Sequence, residues 1–150
     1  MRSYKYPANF TPADEGGFVI TFLDVPEVVT QGETIDNCVE EASDALEEAI
    51  VGRINLGEAI PVPSAPQHGQ YAIPLPAPSA LKAALYEEIR AQGRTKVQMA
   101  ADLGIDEKEI RRLLDPHHPS KLPRIAEILE RVGKHVVVSI EDRNELTAQA

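Results

Sequence analysis

The sequence predicts an α+β fold in two modules, and three observations predict it. Tyr4, Tyr6, Ala8 and Phe10 alternate with Lys5 and Asn9, the period of a half-buried strand, and Phe18 to Leu23 returns after a glycine-bearing hairpin connection. Residues 34–50 place apolar side chains at three- and four-residue steps, the period of an amphipathic helix. Six of the twelve prolines then lie between Pro61 and Pro78, and beyond them the pattern is helical but broken into short pieces.

The elements follow in order. Tyr4, Tyr6, Ala8 and Phe10 make the first strand, and Thr11 to Gly17 is a hairpin connection with glycines at its tight positions. Phe18 to Leu23 returns, and Val28 to Thr30 adds a short third strand. Gln31-Gly32 turns the chain and Thr34 caps a long helix, with Asn37 three residues on. Its apolar stripe is Ile35, Val39, Ala42, Leu46, Ala49 and Ile50, and its expected stop is Gly57. Tyr71 to Leu75 reads as extended. Ser79 caps a helix to about Gln92, with Leu81, Leu85 and Ile89 inward. His135 to Ile140 is a β-type run, able to pair with Tyr71–Leu75 or with a second chain. The expected division is residues 1–65, a proline-rich linker or extended strand at 66–78, a domain at 79–140 with a C-terminal strand, and a frayed polar tail at 141–150. A first module of about 65 residues buries little core, so an oligomer is expected.

Charge separates the same two halves. The net charge is −9; residues 1–65 hold three basic and twelve acidic side chains, and residues 66–150 hold twelve of each. Such asymmetry assigns the modules different partners. An acidic surface repels nucleic acid and attracts basic proteins. A length of 150 residues excludes a multidomain enzyme. No apolar run reaches the ~18–20 residues that cross a bilayer. Residues 1–10 lack the apolar centre of a secretory signal, so a cytoplasmic protein without a membrane partner is expected. Cys38 is the single cysteine, which excludes an intrachain disulfide and a cysteine-based zinc cage, and it reads as a small hydrophobe.

Residues 95–114 carry the sharpest motif. Thr95 and Gln98 form a capping-box pattern, and Met99, Ala100 and Leu103 give a short helix one apolar face. Gly104 follows where a sharp turn needs positive φ, and Ile105 plugs the corner. Asp106 is a second N-cap with Glu109 at the third helical position, and Ile110, Leu113 and Leu114 face inward. Short helix, glycine turn and second helix spell a helix-turn-helix. From Arg94 to Arg124 there are seven basic and five acidic side chains. Arg94 and Lys96 stand at the start of the first helix, where Lys96 suits a phosphate contact, Lys121 and Arg124 begin the following helix, and Lys108, Arg111 and Arg112 suit major-groove readout. Glu107 either accepts from a cytosine amine or simply favours the helix N-terminus. A local excess of two positive charges binds weakly as a monomer, so two copies on a palindrome are expected.

Chemistry at a catalytic centre finds little support. His117 and His118 point apart and lack further ligands, so loop roles are expected, and His68 reads as solvated. Asp24 with Glu41 or Asp44 imitates a metal-binding carboxylate set, but the helix acids cover whole faces, as a solvated helix does. No nucleophile elbow or phosphate loop is present. No catalytic residue, metal or cofactor is expected.

In their order and spacing the motifs resemble the HicB antitoxins over nearly the full chain. They are Tyr4-x-Tyr-Pro-Ala8, Glu15-Gly-Gly-Phe18, Phe22-x-Asp-x-Pro26, Thr30-Gln-Gly-Glu-Thr34 and Ile60-Pro-x-Pro63, then Leu113-Leu-Asp-Pro-His-His118, Ser120-Lys121 and Val132-Gly-Lys134. The chain departs at Glu27-Val28, where many members carry Gly-Cys. The resemblance implies a partial ribonuclease-H-like N-terminal module and the subgroup with a helix-turn-helix. It implies an antitoxin that neutralises a HicA-like toxin, a small basic mRNA-cleaving ribonuclease, represses its own operon at an operator DNA, and forms a homo-oligomer, a dimer or a tetramer. The acidic side chains offered to the toxin are Asp24, Glu27, Glu40, Glu41, Asp44, Glu47 and Glu48. The alternative is a helix-turn-helix regulator whose N-terminal module senses a small ligand in a pocket lined by Tyr6, Phe10 and Phe22. A third class is a metal-dependent nuclease.

Overall fold

A computed structural model of the chain describes residues 1–147. The chain forms two compact units: Met1–Arg53 with Pro61–Pro76 and the chain from Ile140 onward, and Ile54–Ile60 with Ala77–Ser139.

The first unit contains strands β1 (Lys5–Pro12), β2 (Phe18–Phe22), β3 (Val29–Gly32) and β4 (Tyr71–Pro74), and helix α1 (Ile35–Asn55) begins and largely lies in it. The sheet is antiparallel throughout, in the order β3-β2-β1-β4. Opposed residues share a sheet face. Tyr6 faces Ile73, Ala8 faces both Phe22 and Tyr71, and Phe10 faces Ile20. That face is the apolar one: Tyr6, Ala8, Ile20, Phe22 and Ile73 are all buried. Phe10 stacks on Tyr71 with ring centroids 4.2 Å apart and an interplanar angle of 14°.

Thr34 caps α1 as the sequence predicts, its Oγ1 accepting from the Asn37 amide at 3.1 Å, and Asn37 Oδ1 accepts from the Glu33 amide at 2.9 Å. The buried stripe is Cys38, Ala42, Leu46 and Ile50. Ile35 is exposed and Val39 and Ala49 are only half-buried, so the inward face is rotated from the expected one. Gly32 explains the rotation. A Cβ there would lie 2.6 Å from Cys38 Sγ and 3.0 Å from Cys38 Cα, so the helix start presses Cys38 against the end of β3. Gly32→Ala is therefore expected to destabilise this unit by about 1–3 kcal/mol through overpacking. A chemical-denaturation midpoint matching the wild type would refute the close approach.

Within the proline-rich stretch Tyr71 to Pro74 is extended as the sequence predicts, β4 completes the sheet there, and Tyr6 Oη donates to the Pro61 carbonyl at 2.8 Å. Two expectations meet a different outcome. The run His135–Ile140 carries no strand among the described residues, and Val137, Val138 and Ile140 are exposed. Tyr71 to Leu75 pairs with β1 on one side, and on its other side Tyr71 makes a bridge with Thr147. The polar tail does not fray over its described part. Leu146 is buried in a short 3₁₀ turn, Arg143–Leu146, which gives the tail an apolar anchor. Lys5 pairs with Glu141, and Arg143 lies 3.9 Å from Glu40. Residues 148–150 of that expected tail lie outside the described residues.

The second unit holds helices α2 (Ala77–Gln92), α3 (Lys96–Leu103), α4 (Glu107–Leu114) and α5 (Leu122–Arg131). Its core gathers Leu85 and Ile89, Met99, Ala100 and Leu103, Ile110, Leu113 and Leu114, and Ile125, Ile128 and Leu129. Leu81 and Ile105 pack against it half-buried. Among the described residues no helix is long and apolar enough to cross a membrane.

Candidate functional site

The α3–α4 pair is built as its sequence prescribes. Thr95 Oγ1 accepts from the Gln98 amide at 3.1 Å, and Gln98 Oε1 accepts from the Thr95 amide at 2.9 Å, a reciprocal capping box. Gly104 ends α3 at φ 64° and ψ 33°, the left-handed region that a Cβ disfavours. Asp106 opens α4 by accepting from the Lys108 amide at 2.8 Å. Glu109 does not return to that cap. It turns to Arg124, whose Nε donates to it at 2.5 Å.

The outer side of α4 presents Lys108, Arg111 and Arg112, opposite buried Ile110, Leu113 and Leu114. The candidate nucleic-acid contacts fall into two sets. Lys96, Lys108, Arg112 and Lys121 are exposed and make no ion pair among the described residues. Arg94, Arg111 and Arg124 are engaged internally: Arg94 with Asp102, Arg111 with Glu107, and Arg124 with Glu109 and, at 2.8 Å, Glu127. Glu107 is thus a partner of Arg111 one turn on, in the favourable orientation for such pairs. Arg124 ties α5 to α4.

The Glu109 carboxyl is held below its ordinary value, chiefly by its hydrogen bond to Arg124 and against the opposing effect of burial. A carboxylate depressed in the folded state contributes stability that is present above the unfolded value and lost as pH falls through the folded one. The melting midpoint of this unit is therefore expected to drop on acidification from about pH 6 to about pH 3. Arg124→Met should flatten part of that acid limb. An identical limb in the variant would show that the pair contributes nothing.

Sequence reasoning missed Lys82. It lies on the face of α2 that carries Leu85 and Ile89, and it is only 2% exposed. Its Nζ donates to the Asp115 carbonyl at 2.7 Å, to the Arg112 carbonyl at 3.0 Å and to Ser120 Oγ at 3.0 Å. Burial pushes its pKa down, and Asp115 opposes that shift. The signal was present as a lysine three and seven residues before inward apolar positions.

The loop histidines serve this same corner. His118 Nδ1 lies 3.2 Å from Ser120 Oγ, and the His117 amide donates to Asp115 Oδ1 at 3.0 Å. Among the described residues no group of three or more His, Cys, Asp or Glu is placed to hold a metal ion.

The acidic candidates of the first unit also divide. Asp24 is structural: its Oδ2 accepts from the Ser64 amide at 2.8 Å and its Oδ1 from Ser64 Oγ at 2.6 Å, which fastens the proline-rich stretch. Glu27 takes Arg53 in a fork, at 2.6 Å from Nε and 3.0 Å from Nη2, and that hydrogen bonding is the main cause of its lowered pKa. Glu40 faces Arg143. Glu41, Asp44, Glu47 and Glu48 line, with Thr30 and Ala45, a shallow depression along α1. The aromatics of the ligand-pocket alternative are used in packing, since Tyr6 and Phe22 are core and Phe10 stacks on Tyr71.

An antiparallel unit with an acidic helix, followed in the chain by an all-helical unit with a cation-bearing short helix, defines the architectural class. Comparison with known sequences makes it specific. The sequence model of a family described as HicB_like antitoxin of bacterial toxin-antitoxin system matches residues 5–84. Antitoxin HicB of Escherichia coli K12 is 34% identical over 132 residues, 88% of this chain and 96% of that protein. Antitoxin HicB 1 of Photorhabdus laumondii is 29% identical over 141 residues, covering 94% and 90%. Antitoxin HicB of Pseudomonas fluorescens is 27% identical over 129 residues, covering 85% and 88%. The chain belongs to the HicB-like antitoxin family.

Proposed function

We propose that this antitoxin neutralises a small basic HicA-like ribonuclease through its N-terminal unit and represses its own operon through α3 and α4, acting as a helix-turn-helix. The observation that carries the DNA half is the outward set of cations on and beside α4 that make no ion pair among the described residues, with both helix caps and the Gly104 turn in place. Lys108 and Arg112 take base edges, and Lys96 and Lys121 take phosphates. Arg111 contributes less while Glu107 holds its guanidinium. A local charge excess this small favours an oligomer on a two-fold site, each copy adding phosphate contacts.

The toxin half rests on the charge of residues 1–65 and on Glu41, Asp44, Glu47 and Glu48, which share one depression. An acidic face of this kind covers a cationic RNA-binding surface by occlusion and charge complementarity. The three-strand meander and the helix that follows it support the partial ribonuclease-H-like reading. Likeness to a nuclease fold carries no activity by itself.

Copurification of a small basic ribonuclease with this chain from its native cells tests the pairing directly. Toxin affinity is expected to fall at least about tenfold between 0.05 M and 0.5 M salt, because exposed charge pairs are screened. An affinity indifferent to salt would remove electrostatics from the mechanism.

A further inference from the structure

Among the described residues Lys82 is the one buried charged side chain. A methionine would fill the same core volume without bringing a charge out of water. What only a cation with three donors does is satisfy three acceptors at once. Here the three are the Arg112 carbonyl in the last turn of α4, the Asp115 carbonyl at its C-cap and Ser120 Oγ just before α5. The ammonium sits at the negative end of the α4 dipole. Ser120 in turn lies 3.4 Å from the Arg112 carbonyl and 3.2 Å from His118 Nδ1, so the whole connection from 115 to 120 closes around it.

We propose that Lys82 is the positioning residue for DNA reading, pinning the end of α4 and the α4–α5 connection to α2 so that Lys108, Arg112 and Lys121 meet a duplex in one fixed geometry. The inference rests on the DNA-binding role proposed above. Lys82 itself reaches no DNA. Its loss leaves every outward cation in place, so phosphate attraction persists while the geometry needed for base contacts is lost. A residue that merely stabilised the fold would weaken binding to all duplexes alike.

The test uses the full chain, its Lys82→Met variant and the milder Ser120→Ala variant, which keeps the ammonium and both carbonyl bonds. Amide hydrogen exchange over residues 113–120 is expected to quicken about tenfold or more in Lys82→Met and less in Ser120→Ala, with α2 amides unchanged. Affinity for the duplex upstream of the gene is expected to fall about tenfold or more, while affinity for a scrambled duplex and its salt slope stay within about twofold. Equal losses on both duplexes, or unchanged exchange in 113–120, would overturn the assignment. If Lys82→Met does not fold, Ser120→Ala carries the same comparison, and the same two results in it would overturn the assignment. A wild-type chain that shows no preference for the upstream duplex overturns the DNA reading and this role with it, whereas faster exchange would still show that Lys82 holds the connection.

Discussion

Alanine at both Lys108 and Arg112 is expected to lower affinity for the upstream duplex by at least about 30-fold, leaving the melting midpoint of the protein unchanged. Each base-reading cation contributes ~1–3 kcal/mol, so the pair removes ~2–6 kcal/mol per copy. Stability is spared because both side chains are exposed and neither makes an ion pair among the described residues. The Arg112 carbonyl that Lys82 holds is backbone and survives the truncation. Lys108→Ala alone should cost ~1–3 kcal/mol and Arg111→Ala less than that range, since Glu107 competes for the guanidinium. Gel shifts against the upstream duplex and a scrambled one measure all three variants. Unchanged mobility in the double variant would take the outer face of α4 out of the interface.

Leu46→Ala is expected to destabilise the first unit by about 2–5 kcal/mol, the range for emptying a fully buried leucine site. Leu46 is 0% exposed and sits between Ala42 and Ile50 on the inward face of α1. Ala42 is too small to spread into the space. The depression lined by Glu41, Asp44, Glu47 and Glu48 lies on the same helix, so toxin neutralisation should fail at temperatures where that unit melts. Toxin protection measured against temperature, beside a melting curve, checks this. A variant that melts with the wild type would mean that α1 is not held by this stripe.

The α3–α4 pair is legible in the sequence because its determinants are local. A capping box, a left-handed glycine and a second N-cap act within four residues, so their types and spacing suffice. The strands β1, β2 and β3 are legible for the same reason, through period-two alternation in β1 and the glycine turns beside β2 and β3. The run at 135–140 misleads because β-branched composition reports a preference, whereas a strand exists only where a partner segment pairs with it. The tail misleads in the opposite sense, since Leu146 is buried and Glu141, Arg143 and Thr147 find partners far away in the sequence.

The sequence by itself determined two modules, their unlike charge, the family, and the local frame of the two short helices. Tertiary structure alone decided which side chains in each charged set are spoken for. Asp24, Glu27, Arg94, Arg111 and Arg124 have partners inside the protein, while Lys96, Lys108, Arg112 and Lys121 make no ion pair among the described residues. It alone decided that a lysine of α2 belongs to the core. The physical reason is range: caps and periodicity act between near neighbours in the chain, whereas Lys82 meets Arg112, Asp115 and Ser120 only after four helices have packed.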